Sequence, residues 1–274
     1  MRDLPNPTFP VSQGLPDHRR RLLRRDMEQT QTDRKAPDLR VSWARTEEEI
    51  IEAQKLRYSV FAEEMGAHLH TRHPGIDEDI FDPYCDHLLV RDAASLQVVG
   101  TYRVMQPSEA KRMGCLYSDS EFDLVRLHHL RPKMLELGRS CVHPDYRNGA
   151  VIMALWQGLA HYMQKHGLEC MLGCASVSMA DGGHFAASLY QQLAQTALAP
   201  IEYHAAPRLS LPVDELDCTR QVEAPALVKG YIRLGAKICG APAWDPDFNT
   251  ADFLMLMRLS DMNPRYKRHF FGQK

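Results

Sequence analysis

The most informative pattern of apolar and polar positions lies in the middle of the chain. Leu135 and Leu137 can face one way while Glu136 and Arg139 point elsewhere, which is typical of a strand that carries charge and ends at Val142. A turn with a proline and a glycine follows. Apolar residues then recur at helical spacing: Ile152, Leu155, Trp156, Leu159 and Met163. The pattern predicts a strand, a tight turn and a helix N-terminus in direct succession.

Shorter apolar runs on either side predict further elements. The predicted strands are residues 39–44, 87–91, 98–105, 170–177, 236–239 and 251–259, and the predicted helices are residues 46–64, 182–198 and 227–234. The first of these helices begins at Thr46, a capping residue that three acids follow. This order of elements predicts an α/β fold, a mixed sheet with helices on its faces.

Bulk composition narrows the class of protein. The chain has 274 residues, and 44% of them are hydrophobic, which is ample for a buried core. It carries 33 basic and 35 acidic residues, and the resulting net charge of −2 argues against nucleic acid held by bulk electrostatics. We therefore expect a globular protein without a nucleic-acid partner.

The cysteines and the terminus bear on location. Seven cysteines, with no CxxC pair, favour neither a disulfide framework nor a cysteine-rich zinc site, so a reducing cytoplasm is expected. The chain has no apolar run near the ~20 residues that span a bilayer and no secretory signal at its start. Any membrane contact is therefore predicted to be peripheral, at the inner surface.

Residues 1–37 are predicted to form a mobile basic and polar tail, and residues 38–274 a single domain, because the tail has few apolar residues to offset its ordering. Within the tail, residues 18–25 (HRRRLLRR) could form a short basic helix that lies on anionic lipid or touches an acidic carrier protein. A solvated charged tail is the more common outcome for such a segment.

The turn before the central helix could hold an anion. Arg147, Asn148, Gly149 and Ala150 place unpaired backbone N–H groups and small side chains at a helix N-terminus, where a phosphate can approach the main chain. An ordinary strand-to-helix connection is the alternative.

Two further sets of residues suggest chemistry. The loop at 66–86 concentrates acids that could bind a cation, although such acids usually face water. Cys141 lies two residues from His143, as in a nucleophilic dyad, but this spacing at a turn does not ensure contact. Arg57 falls at the edge of the buried face of its predicted helix, where a structural ion pair is the commoner role.

Several motifs resemble one enzyme family. Residues 56–58 (LRY), 86–90 (DHLLV), 99–103 (VGTYR), 136–149 (ELGRSCVHPDYRNG) and 240–249 (GAPAWDPDFN) look like those of the bacterial L-ornithine Nα-acyltransferases of ornithine lipid synthesis, which lie in the general N-acetyltransferase superfamily. The resemblance covers most of residues 41–259.

This resemblance implies an N-acetyltransferase-like fold with a mixed, mostly antiparallel sheet. It implies transfer of a (3-hydroxy)fatty acyl group from the phosphopantetheine arm of acyl carrier protein to the α-amine of L-ornithine, with no metal and no bound cofactor. The residues that it implies are Glu136 and Arg139 for catalysis, Arg57, Phe61, Asp82, Asp86 and Arg103 for substrate, and Val142, Arg147, Asn148, Gly149 and Ala150 for the donor arm. Glu136 is expected to act as the base, directly or through water.

Three alternatives remain open from the sequence. The acceptor could be another amino acid. The chain could be a signal synthase of the acyl-homoserine-lactone type, which shares the Glu136 and Arg139 pair, although residues 66–86 lack the tryptophan found in that family. It could also be a carrier-binding or lipid-binding module without activity, but an intact Glu136 and Arg139 argue against this.

Overall fold

The predicted strands assemble into one mixed sheet in the computed structural model, which describes residues 38–272. The strands are β1 (Leu39–Trp43), β2 (Asp86–Asp92), β3 (Val98–Met105), β4 (Phe122–Asp123), β5 (Met134–Val142), β6 (Cys170–Ser178), β7 (Ala206–Pro207), β8 (Lys237–Ile238), β9 (Ala243–Asp245) and β10 (Thr250–Arg258). The α-helices are α1 (Glu47–Tyr58), α2 (Pro107–Met113), α3 (Ser118–Glu121), α4 (Ala150–His166), α5 (His184–Thr196), α6 (Ala226–Leu234) and α7 (Pro264–Phe271).

The sheet has the strand order β1-β2-β3-β5-β6-β10-β8, with β9 also paired to β10, while β4 and β7 form a separate small pair. Neighbours in the large sheet are antiparallel except β5 and β6, which are parallel. The prediction of a mixed, mostly antiparallel sheet flanked by helices is confirmed.

Helices cover both faces of this sheet. On one face, α4 buries Val151, Leu155 and Leu159 in a cluster that also contains Leu88 and Val90 of β2. On the other, α1 packs Ala53, Leu56 and the following residue Val60 in a cluster with Leu89 of β2. Because successive strand residues point to opposite faces, Leu88 and Leu89 seat one helix on each side.

The first helix departs from its prediction at its C-terminal end. Thr46 caps α1 as expected, since its hydroxyl accepts the amide of Glu49. The α-helix ends at Tyr58, however, and residues Ser59–Glu64 continue as a π-helix. Wider π turns are rare and concentrate at functional sites. The side chains of Val60 and Phe61 in this segment line the cavity described below.

The described residues bear on only part of what was predicted about membrane contact. Among residues 38–272, none of the helices has both the length and the apolar character needed to cross a bilayer. The predicted tail at 1–37 and its basic segment at 18–25 lie outside the described residues, so their membrane and carrier contacts stay predictions.

Candidate active site

The site forms where the two parallel strands separate. β5 and β6 pair only from Met134 to Glu136 with Cys170 to Leu172. A Cβ added to Gly173 would lie 2.3 Å from the carbonyl oxygen of Leu137, so the strands can approach at this point only with glycine there. Beyond it they diverge, and a cavity of about 490 Å³ opens between them.

The body of this cavity is apolar. It runs beneath α4 and continues toward α6 and α7, and its apolar wall includes Ile152, Trp156, Leu159, Met171, Met255, Met257 and Phe271. Its volume falls within the range of ~300–1,000 Å³ that is usual for small-molecule sites. The shape and the lining suit a long hydrocarbon group.

Charged groups line another part of the same cavity, and Arg139 is prominent among them. A β-bulge in the pairing of β3 with β5 gives Arg139 a φ of 49°, and bulges of this kind often redirect a side chain next to an active site. The Arg139 guanidinium lies 4.5 Å from the ring centre of Phe248 and 5.5 Å from that of Tyr117. Arg103 and Phe61 line the cavity as well.

Three arginines and three aspartates form an ion-pair network that includes Arg103 and Arg139 of this wall. Arg57 is fully buried and pairs with Asp77 at 2.7 Å and with Asp82 at 3.0 Å. Arg103 bridges Asp79 at 2.6 Å and Asp82 at 2.8 Å. Arg139 lies 3.4 Å from Asp77 and 3.3 Å from Asp79.

The network decides the charge state of its acids. Burial alone would raise the pKa of Asp82, but the guanidinium groups of Arg57 and Arg103 hold it well below its usual range. Sequence reasoning placed Arg57, Asp82 and Arg103 at the site, and the structure brings them together. Arg57 does not line the cavity, so its contacts position Asp82 and the loop that carries it.

Glu136, the predicted base, has a different environment from the one expected. It is 5% exposed and does not line the large cavity. Its two carboxylate oxygens accept the backbone N–H groups of Tyr117 and Ser118, each at 2.8 Å. Burial raises the pKa of Glu136, although these N–H donors act in the opposite direction. Its direct effect is to hold the segment that places the Tyr117 ring in the cavity wall.

Asp86 lies apart from the other predicted site residues. It is exposed at the start of β2, and its carboxylate accepts hydrogen bonds from the Tyr162 hydroxyl and, at 3.4 Å, from Gln106. It does not line the cavity. Asp82 and Asp86 are therefore not joined in one site, because the chain turns into β2 between them.

The segment predicted to form an anion cradle lies at the start of α4, and several of its polar groups are engaged with other protein groups. Gly149 has a φ of 92° at the start of α4, a conformation that favours glycine. Asn148 accepts the Ala150 amide at 3.1 Å. The Arg147 guanidinium donates two hydrogen bonds to Glu64, at 2.5 and 2.6 Å. Val142, Arg147 and Gly149 line the cavity, whereas Asn148 and Ala150 do not.

The thiol of Cys141 is not part of a nucleophilic dyad. It is buried, and burial raises its pKa to about 12. The Nδ1 atom of His143 accepts the amide of Asp145, at 3.3 Å. Nothing in this geometry activates the sulfur as a nucleophile.

Sequence reasoning missed two carboxylates. Asp245 of β9 and Asp252 of β10 both line the cavity and are 7% and 2% exposed. The available signal was an aspartate inside an otherwise apolar strand, residues 250–257 (TADFLMLM). Burial and then neighbouring Asp245 raise the pKa of Asp252 to about 6, although hydrogen bonds to its carboxylate lower it.

Comparison with known proteins places this geometry in context. A family model described as an acetyltransferase (GNAT) domain matches residues 56–157. The chain is 38% identical to an L-ornithine N(alpha)-acyltransferase of Agrobacterium fabrum, with 84% of each chain covered. It is 36% identical to the protein of that name from Rhodobacter capsulatus, with 83% of this chain and 92% of that one covered.

The solved structures show a likeness of fold. The acyl-homoserine-lactone synthase LasI superimposes with a TM-score of 0.51 at 13% identity, and the match covers 86% of this chain and 96% of that one. At this level of identity the likeness concerns the fold alone.

Proposed function

The chain belongs to the L-ornithine N(alpha)-acyltransferases, and on that premise we propose that it acylates the α-amine of L-ornithine with a fatty acyl or 3-hydroxyacyl group. The donor is the thioester of acyl carrier protein, and the product is lyso-ornithine lipid. The observation that carries the proposal is the cavity between β5 and β6, which joins a long apolar section to a wall of charged groups.

The reaction needs an amine nitrogen, a thioester carbonyl and a place for the developing oxyanion. Beyond Glu136, the edge of β5 that faces β6 has no strand partner within residues 38–272. Backbone N–H groups on that edge are therefore available to polarise the carbonyl. The amine nitrogen forms the new C–N bond, the C–S bond breaks, and the thiol of the donor arm leaves.

The proton of the attacking amine must also be accepted. Glu136 serves as this base only through a relay, because its carboxylate is held by the backbone of Tyr117 and Ser118 and does not line the cavity. Arg139, which does line it, binds the α-carboxylate of the amino acid. Val142, Arg147 and Gly149 bound the path of the donor arm.

Two basic residues that could attract acyl carrier protein, Arg147 and Lys165, lie far apart. Arg147, at the cradle, is paired with Glu64. Lys165 lies fifteen residues beyond Ala150 on α4, which places it about 22 Å along the helix axis. The donor arm is therefore recognised chiefly inside the cavity, where its thioester must reach the edge of β5.

The proposal is tested with purified protein, ornithine, and matched acyl chains on acyl carrier protein and on CoA. Mass spectrometry should find N-acylornithine, with a higher kcat/KM for the carrier-protein donor. Arg139→Met should lower kcat/KM for ornithine. Arg112→Met is the control and should not, because Arg112 is 68% exposed and lies outside the cavity. No acylornithine from either donor would refute the function, and equal rates from CoA would refute the donor.

A further inference from the structure

The cavity wall contains two buried carboxylates that no part of the proposed reaction uses. Asp245 and Asp252 lie on adjacent strands, since Asp245 pairs with Thr250 across β9 and β10. Both side chains are more than nine-tenths buried, and both line the same cavity as Arg139.

Neither carboxylate has an ion-pair partner in the described part of the chain, although the charge of Arg139 lowers the pKa of Asp252. Asp245 accepts the backbone N–H groups of Asp247 and Phe248, at 2.9 and 3.0 Å, and Asp252 accepts the hydroxyl of Thr250 at 3.0 Å. Within residues 38–272, no arginine, lysine or histidine lies within ion-pair distance of either one. A buried carboxylate without a cation is costly, because the interior solvates charge poorly.

A second observation points to a ligand of mixed charge. Arg139 lines the same cavity, and its buried Nε lies next to Asp77, at 3.4 Å. The Arg139 guanidinium lies over the ring of Phe248, 4.5 Å from its centre. One cavity therefore presents a guanidinium and two buried carboxylates that have no ion-pair partner among the described residues. A diamino acid carries the two complementary groups, an α-carboxylate and a side-chain ammonium.

We propose that Asp252, supported by Asp245, binds the side-chain ammonium of the acceptor and so selects a diamino acid over a neutral one. This rests on the proposed function and adds the residues that choose the acceptor. An organic cation is the occupant in preference to a metal ion, because the described residues contain no cluster of three or more metal-ligating side chains.

The experiment compares ornithine with norvaline, which has the same carbon chain without the side-chain amine. Wild type should acylate ornithine far better than norvaline. Asp252→Asn should lower kcat/KM for ornithine about 10- to 100-fold, mainly through KM, and leave norvaline unchanged or improved. Asp247→Asn is the matched control, since that carboxylate is 57% exposed on the same segment, and its ornithine-to-norvaline ratio should not change.

Thermal shift without donor separates failure of this inference from failure of the proposed function. Ornithine should raise the Tm of wild type and not that of Asp252→Asn, while norvaline should affect neither. Asp245→Asn supplies a second variant if the first does not fold. An unchanged ornithine-to-norvaline ratio in folded Asp252→Asn overturns the proposal. The proposal is also overturned if magnesium or calcium chloride stabilises wild type, ornithine does not, and Asp252→Asn abolishes the stabilisation by the metal salt.

Discussion

Two buried groups of carboxylates flank the same cavity and differ in their charge balance. On one side, Asp77, Asp79 and Asp82 are matched by three arginines within 3.4 Å. On the other, Asp245 and Asp252 have no cation within ion-pair distance in the described part of the chain. Asp77 and Asp82 are as buried as Asp245 and Asp252, and only Asp79 is partly exposed, so the main difference lies in what compensates the charge.

The difference separates a scaffold from a binding surface. In the balanced group each charge is needed by its partners, and its loss leaves another charge buried alone. In the unbalanced group the protein itself bears the cost of the charge, which a cationic ligand would remove. Removing a charge from the balanced group should therefore destabilise the protein, whereas removing one from the unbalanced group should stabilise it.

The largest effect is expected at Arg57. Arg57→Met leaves Asp77 and Asp82 short of their buried partner, which should lower the free energy of unfolding by about 3–5 kcal/mol. Urea denaturation measures this loss. Arg112→Met, in which the arginine is 68% exposed, should change the free energy by less than about 0.5 kcal/mol. A loss below about 1 kcal/mol at Arg57 would show that the network is not a scaffold.

Asp252→Asn should act in the opposite direction. The pKa of Asp252 is raised from 3.8 to about 6 in the folded protein, so folding binds a proton and the charged form is penalised. The penalty should appear as pH rises from about 4 to about 6 and stay constant above that, reaching at most about 3 kcal/mol.

At pH 7.5 without ornithine, the asparagine variant should therefore be more stable than wild type, and at pH 4 the two should agree. Denaturation at both pH values measures the difference. Neighbouring Glu121, whose pKa burial and then Asp252 raise to about 7, broadens the transition. A variant that is less stable than wild type at pH 7.5 would contradict the comparison.

The fold was largely predictable because its signals are local. The strand at 134–142 and the helix at 150–166 follow from apolar spacing, and the cap at Thr46 follows from one hydroxyl and the acids after it. The resemblance supplied the residues implied for the site. Arg57 forms a structural ion pair in the structure, which is the commoner role of such an arginine.

The site was less predictable because it depends on distant contacts. The cavity exists because β5 and β6 separate after three residue pairs, which no pattern within either strand specifies. The bulge that aims Arg139 arises from its register with β3. Asp252 lies in a strand that is otherwise apolar. Asp82 and Asp86 were assigned the same role from the sequence, but the turn into β2 places them apart in the structure.

Glu136 should show an intermediate effect. In Glu136→Gln the new NH₂ group must face a backbone N–H of Tyr117 or Ser118, which should lower the free energy of unfolding by about 1–3 kcal/mol. Loss of a general base lowers the rate by about 10²–10⁴. Both quantities are measured on one preparation below its Tm. A folded Glu136→Gln variant with a lowered kcat would support the relay. A destabilised variant with the kcat of wild type would leave Glu136 only a structural role.

The smallest effect is expected at Glu64 and Arg147, which sharpen the comparison because they are balanced but exposed. Their side chains are 39% and 43% exposed despite a 2.5 Å contact. Exposed pairs of this kind contribute about 0–1 kcal/mol, because water and salt screen them. Glu64→Gln should therefore barely change the free energy of unfolding.

The same substitution would release the Arg147 guanidinium at the cavity wall, where it could reach the phosphate of a donor arm. We expect KM for the carrier-protein thioester to fall by about two- to threefold with Glu64→Gln, and to rise with Arg147→Gln, each more strongly at low salt. Steady-state kinetics at two salt concentrations measure both. If Glu64→Gln destabilised the protein as much as Arg57→Met, charge balance and not burial would define the scaffold.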